Sequence, residues 1–276
     1  MGIRAPWPMT RRAAPASGRP VHLDPLSELL PIGPLRLTVE EVRQLWSFVH
    51  GDIMDGGTRQ YLRASLGLCP RHAWGHAVVE IELWQAGAGA RGGHQPFDIS
   101  VLNEDLLEYA AGELRKPLSW LHPGMAHQPA ASRSCRICGE LAGPLPEGLR
   151  MGYANSNSNA LALEANELAF TTAWCRETSS TWFSRACPRC LGNDGADPLA
   201  LCRRHLAAGG PVSRATGHAI ADRLLELRQR LLRLLDSMTD HGKPATAAEN
   251  AAWVEALGWF AGWALPLYLT SSNPGS

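Results

Sequence analysis

Lysine is almost missing from this chain of 276 residues: Lys116 and Lys243 are the only two, and arginine carries nearly all the positive charge. With the richness in alanine, glycine and proline this reads as coding bias, and no function follows from it. Net charge is missing too, since 26 basic residues meet 26 acidic ones. That excludes a basic field over the whole protein, of the kind that draws in nucleic acid, and a polybasic membrane signal. The opening stretch MGIRAPWPMTRRAAPASGRP has charge but no apolar core, so no secretory leader is expected there. Long apolar runs are scarce. The best one, residues 251–269, is broken by Glu255 and Pro266 and has no basic flank, which predicts a buried helix and no membrane span. Familiar catalytic signatures are also lacking: there is no H-E-x-x-H, no G-x-S-x-G, no Walker loop and no dinucleotide fingerprint. The glycine-rich stretch Gly87 to Gly93 is not followed by Lys-Ser/Thr and reads as a link.

What the chain does have is cysteine in pairs. Cys187 to His205 reads CPRCLGNDGADPLALCRRH: C-x2-C, a gap of eleven residues, then C-x2-H. A two-residue gap lets both sulfurs of Cys187 and Cys190 turn to one side, and Pro188 stiffens that turn by fixing its own φ. Gly192 to Gly195 make a tight polar loop. Cys202 and His205 follow, with His205 expected in the first turns of a helix. Three thiolates and one imidazole suit a closed tetrahedral zinc site in which every corner is a protein ligand. A redox role for Cys187 and Cys190 needs a helix directly after the first cysteine, and LGNDG starts a helix poorly. No histidine is followed by x-Glu, so the zinc deaminase pattern is missing.

An echo of this motif lies upstream. Leu68, Cys69, Arg71 and His72 match Leu201, Cys202, Arg204 and His205 at a constant offset of 133. A second knuckle, Cys135-x2-Cys138, needs two partners. Cys69 and His72 supply them as a second Cys3His set, and the long loop between the pairs adds little closure entropy. The rival is the local pair His122 and His127. Two structural zinc ions are therefore expected. Cys175 reads as a plain buried thiol, and His76, one turn past His72, as a satisfied helix histidine. Seven cysteines and no leader point to the cytoplasm and to metal, not to disulfides.

The expected fold is mostly α: a helical protein with zinc-stapled loops. Residues 1–22 form a disordered tail, 23–134 an N-terminal helical region carrying the C-x2-H, and 135–276 a zinc-stapled region with the C-terminal helices. Residues 23–34 read as a turn-rich packing segment. A helix starts after Thr38, with Glu41 completing a capping box and Val42, Leu45, Trp46 and Val49 on one face. Thr58 is expected to cap the next helix. Further helices are expected after Cys69, over 100–115, over 160–174 and over 216–238. In the last of these Ile220, Leu224, Leu227, Leu231, Leu234 and Met238 form an a/d seam. A final helix runs from near Thr246 to about Leu269.

Two pieces resemble known bacterial groups. YLRASLGLCPRHAW, Tyr61 to Trp74, is similar to an uncharacterised family in which C-x2-C is followed by a helical stretch and then G-[FL]-C-x2-H. Cys187 to His205 resembles the zinc modules of TniQ transposition proteins, which read CPxCL…CPxH. Both resemblances imply metal ligands at Cys69, His72, Cys187, Cys190, Cys202 and His205. The expected function is a zinc-binding structural or adaptor protein. Its protein partner would meet the 216–238 seam or the tryptophan-rich C-terminal helix, and that seam also offers a homo-oligomer contact. The alternatives are a nucleic-acid-binding zinc protein and an enzyme with an unrecognised site. For the former, nine arginines stand against four acids between Arg185 and Arg233. A solvated helix face explains Arg223, Arg228, Arg230 and Arg233 as well, with Glu226 and Arg230 as an i,i+4 pair.

Overall fold

A computed structural model describes residues 35–50, 52–83, 95–116, 135–143, 157–193, 197–209, 212–239 and 241–271. The tail 1–22, the segment 23–34, the glycine link at 87–93 and the loop bearing His122 and His127 lie outside the described residues. Within them the chain is helical with no strand, the mostly α class that the sequence predicts.

α1 is Val39–His50. Its capping box forms as expected: the Glu41 amide donates to Thr38 Oγ1 at 3.1 Å and the Thr38 amide to the Glu41 carboxylate at 2.7 Å. α2 is Gly56–Ser65, and here the cap differs from expectation. Asp55 holds the position and accepts from the Thr58 amide at 2.7 Å. A carboxylate accepts more strongly than a hydroxyl, and Thr58 is buried in the first turn, where its hydroxyl takes a bond from Arg136. α2 ends on Leu66 in the left-handed region (φ 54°) and Gly67 (φ 101°). The Gly67 amide returns to Leu62 O at 2.8 Å, a Schellman-type stop.

α3, Pro70–Glu82, starts with proline at its first position, where no amide is needed. Its far end braces two other helices. Glu80 accepts the amides of Asp98 and Ile99 at the start of α4 (Phe97–Arg115), whose own N-cap, Pro96, has no side-chain bond to give. Glu82 accepts the Thr171 amide and hydroxyl, both at 2.7 Å, at the start of α7. The short α5 is Arg136–Ala142, α6 is Ser158–Asn166 and α7 is Ala169–Glu177. The single helix expected over 160–174 is thus two. Leu168 turns left-handed (φ 53°) between them, and Glu82 satisfies the amides that the break exposes.

α8 (Ser179–Trp182) and α9 (Arg203–Ala208) are short. α10, Arg214–Ser237, is the longest helix and is capped by Ser213. Its seam of Ile220, Leu224, Leu227, Leu231 and Leu234 is buried, and α10 lies along α4 of the same chain. Gly217 lets the backbones close: a Cβ there would stand 3.2 Å from Leu114 O. Each buried leucine or isoleucine stabilises by about 2 kcal/mol, so these five settle which face of α10 turns inward. The face that the sequence offers to a second copy is covered by the chain itself.

The expected final helix is three: α11 (Ala247–Asn250), α12 (Ala252–Ala261) and α13 (Ala264–Ser271). Gly262 makes the sharper break at φ 87°, which folds Trp263 back over Gly258, where a Cβ would come within 2.4 Å of the indole. α12 is buried all round. Trp253 packs edge-on against Trp74 and Trp174 at 6.3 and 6.4 Å. No described helix is long and apolar enough to cross a membrane. The buried cluster takes residues from both sides of position 135.

Candidate metal centres

Both C-x2-H pairs are built the same way. Cys69 is the N-cap of α3 and Cys202 the N-cap of α9, each extended, with φ/ψ of −63°/160° and −71°/162°. Each histidine follows in the first turn. The sequence offset is thus a repeat of local geometry, with a cysteine sulfur at the positive end of a helix. The C-x2-C knuckles arrive by similar means. Cys135 is the N-cap of α5, and Cys187 starts the 3-10 turn Pro188–Leu191, closed by Gly192 at φ 85°.

These pieces meet in two clusters. In the N-terminal one, His72 Nδ1 is 3.3 Å from Cys69 Sγ, 3.5 Å from Cys135 Sγ and 3.2 Å from Cys138 Sγ, while Cys69 and Cys138 Sγ are 3.8 Å apart. In the C-terminal one, His205 Nδ1 is 3.3, 3.5 and 3.5 Å from the sulfurs of Cys187, Cys190 and Cys202, and the Cys190–Cys202 separation is again 3.8 Å. The edges of a tetrahedron around zinc, drawn with ordinary Zn–S and Zn–N bonds, are about 3.8 Å between sulfurs and about 3.5 Å from sulfur to nitrogen. Each cluster's donor atoms lie within 4.8 Å of one another, and each set could hold a metal ion. All seven cysteines are free of disulfides. Cys135 and Cys138 are grouped with Cys69 and His72; the rival partners His122 and His127 lie outside the described residues. Hydrogen bonds from the neighbouring thiols pull one cysteine of each set, Cys135 and Cys187, far toward thiolate.

The surroundings of the two clusters differ. His72 presents Nε2 to Glu41 Oε1 at 3.3 Å, and Arg71 grips the same carboxylate at 2.6 and 2.9 Å. Burial alone would raise the Glu41 pKa; the bonds from His72 and Arg71 outweigh it and hold it at about 2. The sequence marks Glu41 only as a helix cap, so this outer role is not legible there. A carboxylate behind a ligating imidazole fixes the ring and its tautomer. At the C-terminal cluster, among the described residues, nothing bonds Nε2 of His205, and Arg204, the counterpart of Arg71, is exposed. Arg203 is buried instead. Its Nη1 reaches Ser65 O at 3.3 Å, while Nε and Nη2 have no partner. Burial brings its pKa down to about 10, opposed by the charge of the neighbouring Cys202.

Cys175 is fully buried, and burial with the charge of Glu82 pushes its thiol up to about 12. His76 departs from the satisfied helix residue expected. Both ring nitrogens are buried without a hydrogen-bond partner, the ring meets Phe48 edge-on at 5.3 Å, and burial drives its pKa to about 3. It is a neutral core residue outside the metal cluster.

The arginine-rich stretch forms a solvated face only in part: Arg233 is exposed, but its helix neighbours turn to partners in the chain. Arg230 is buried and pairs both Glu255 oxygens at 2.7 and 2.6 Å, not Glu226. Arg228 meets Glu104 at 2.5 Å and Glu108 at 3.1 Å, and Arg233 meets Glu249 at 2.5 Å. Arg223 donates to the carbonyls of Leu199 and Arg185. The acids of α4 and α12 hold Arg228 and Arg230 against the chain, while Arg233 stays 57% exposed beside Glu249. No protein-family model matches the chain, and neither do the curated proteins or the solved structures.

Proposed function

We propose that this is a zinc-binding structural protein of the adaptor type, in which two zinc ions fasten distant loops and the surface so held meets a protein partner. The observation that carries the reading is the closed donor set: in each cluster one Nδ1 and three Sγ stand at tetrahedral spacing. Zinc favours this soft set, and four protein ligands leave no corner for a substrate. Binding energy at such a site is folding energy. The free cysteines support a reducing, cytoplasmic setting.

The partner role draws support from the C-terminal knuckle. Phe183 and Leu191, 49% and 38% exposed, flank the metal-held turn. A rigid turn presents such side chains at low entropic cost. The nucleic-acid alternative loses support, because Arg228 and Arg230 of the basic stretch pair with acids of the chain and Arg223 bonds two of its carbonyls.

Metal analysis of the purified protein, run beside circular dichroism during chelation, tests the base of this reading. Two zinc per chain, and helix loss as they leave, are expected. Fewer than two, or unchanged helicity, would overturn it. A filter-binding series over salt separates the alternatives: salt-sensitive binding of DNA or RNA contradicts the adaptor role.

A further inference from the structure

Arg185, Arg223 and Arg230 converge on a small cavity beside the C-terminal cluster, walled also by Cys202, Glu255 and Trp259. Its volume is about 20 Å³, room for one group the size of a water molecule. Three guanidiniums face a single carboxylate there. Arg230 occupies both oxygens of Glu255. Arg185 has a weaker claim on the same group, with Nη1 at 3.8 Å from Oε2. Arg223 bonds two carbonyl oxygens and no anion. The Nε of Arg230 has no partner, although its side chain is only 7% exposed.

The charges do not balance. A Cys3His zinc centre carries one net negative charge, and Cys202 brings it to the cavity wall. With Glu255 that makes two negative charges against three positive on the cavity wall, while Glu226 acts on Arg223 from the exposed side of α10. This count rests on the zinc reading of the C-terminal cluster. A buried cation without a counter-ion is costly, and a neutral water does not relieve the mutual repulsion of three guanidiniums.

We propose that this cavity is an anion site that takes one terminal oxygen of a phosphate-type oxyanion. The rest of the ion sits at the mouth beside Arg185, whose side chain is 38% exposed. Guanidinium forks match pairs of phosphate oxygens better than they match a spherical halide. The same oxygen can come from free phosphate or from a phosphate monoester.

Calorimetric titration of the metal-loaded full chain tests this, with inorganic phosphate and phenyl phosphate as separate arms. Ionic strength is held constant and chloride is the comparison salt. Saturable binding of either phosphate supports the site and tells which source it accepts. Arg185→Gln is expected to weaken that binding about tenfold or more. Arg185→Lys is expected to keep part of it, and Arg214→Gln, at an exposed arginine, to leave it unchanged. Heats no larger than those of chloride in both arms would overturn the site. So would equal affinity in Arg185→Gln, provided its melting temperature without phosphate matches the parent. Zinc content measured on the same samples keeps a failure here separate from a failure of the metal reading.

Discussion

The two clusters share a donor set and a local geometry, yet they are embedded differently. The N-terminal one joins residues more than sixty positions apart, His72 and Cys135 being separated by 63. Cys69, His72 and Cys135 are buried there, and Glu41 and Arg71 stand behind the imidazole. The C-terminal one closes a segment in which Cys187 and His205 are 18 positions apart. Cys190 and His205 are part-exposed, and among the described residues no carboxylate backs the ring. Identical ligands therefore do different work: one cluster ties α3 to α5 across the chain, and the other stiffens a local turn under α12. What a metal contributes to a fold depends on what its ligands would do without it.

The sharpest way to break this comparison is to remove one ligand from each side. Cys69→Ala is expected to lose one zinc and to destabilise the chain by at least about 4 kcal/mol, because it releases a long-range link and leaves buried thiols uncompensated. Cys190→Ala is expected to lose one zinc at a smaller cost, about 2 kcal/mol, since only a local turn is freed. Denaturant unfolding with metal counts on both variants measures the difference. Chelation of the parent should proceed in two phases, the C-terminal zinc leaving first. Equal costs, or the opposite order of release, would erase the distinction.

The outer carboxylate comes next in size. Glu41→Gln keeps a hydrogen-bond acceptor but removes the charge behind His72. Metal affinity at the N-terminal cluster should fall about 10- to 100-fold, with the C-terminal cluster unchanged. Competition against a chromogenic chelator reads both sites in one titration. A drop at both sites would mean that Glu41 acts through the fold and not through the imidazole.

These differences were only partly visible in the sequence. Which cysteines and histidines gather is legible because C-x2-C and C-x2-H restrict geometry locally, and the repeated LCxxH points to the partners that Cys135 meets. The helices over α1, α4 and α10 were legible for the same reason: caps and apolar spacing are local. Glu80, Glu82 and Glu41 were not, because each acts on an element far away in the chain. The break at Leu168 was hidden since leucine carries no left-handed signal; the conformation is imposed by the packing around it. The pairings of Arg228 and Arg230 are hidden because helical spacing alone cannot show that Glu104 and Glu255 stand opposite. The seam on α10 is legible as apolar from its spacing, and only the tertiary fold shows that α4 covers it.

A change in packing can make the C-terminal cluster weaker still. Trp263 lies on Gly258 and its backbone amide faces the Cys190 sulfur. Gly258→Ala would drive a methyl into the indole and should cost about 2 kcal/mol. The same shift disturbs Cys190, so zinc release from the C-terminal cluster should quicken while the N-terminal rate holds. Differential scanning calorimetry and stopped-flow chelation measure the two effects. A stability loss with no change in release would show that the indole and the knuckle are uncoupled.

The smallest effect separates protons from metal. Burial raises the Glu82 pKa from an ordinary 4.5 to about 7, and burial with the nearby Asp98 charge raises Glu80 to about 8. Both groups hold a proton in the folded chain that the unfolded chain gives up. Their contribution is complete below about pH 4.5 and is lost as pH rises through 7 to 8. Thiolate ligands act with the opposite sign, because raising the pH favours the deprotonated form that binds metal. Total stability thus mixes two slopes, and a difference between variants isolates one. Glu82→Gln keeps an acceptor for the Thr171 amide but cannot ionise. Between pH 6 and 8 its stability should fall less than the parent's, by up to about 1.4 kcal/mol per pH unit. Release of the C-terminal zinc should be unaffected, since Glu82 braces α7 from the end of the helix that begins at Cys69. Parallel pH profiles for parent and variant would place the proton elsewhere and leave the metal ligands as the main source of pH dependence.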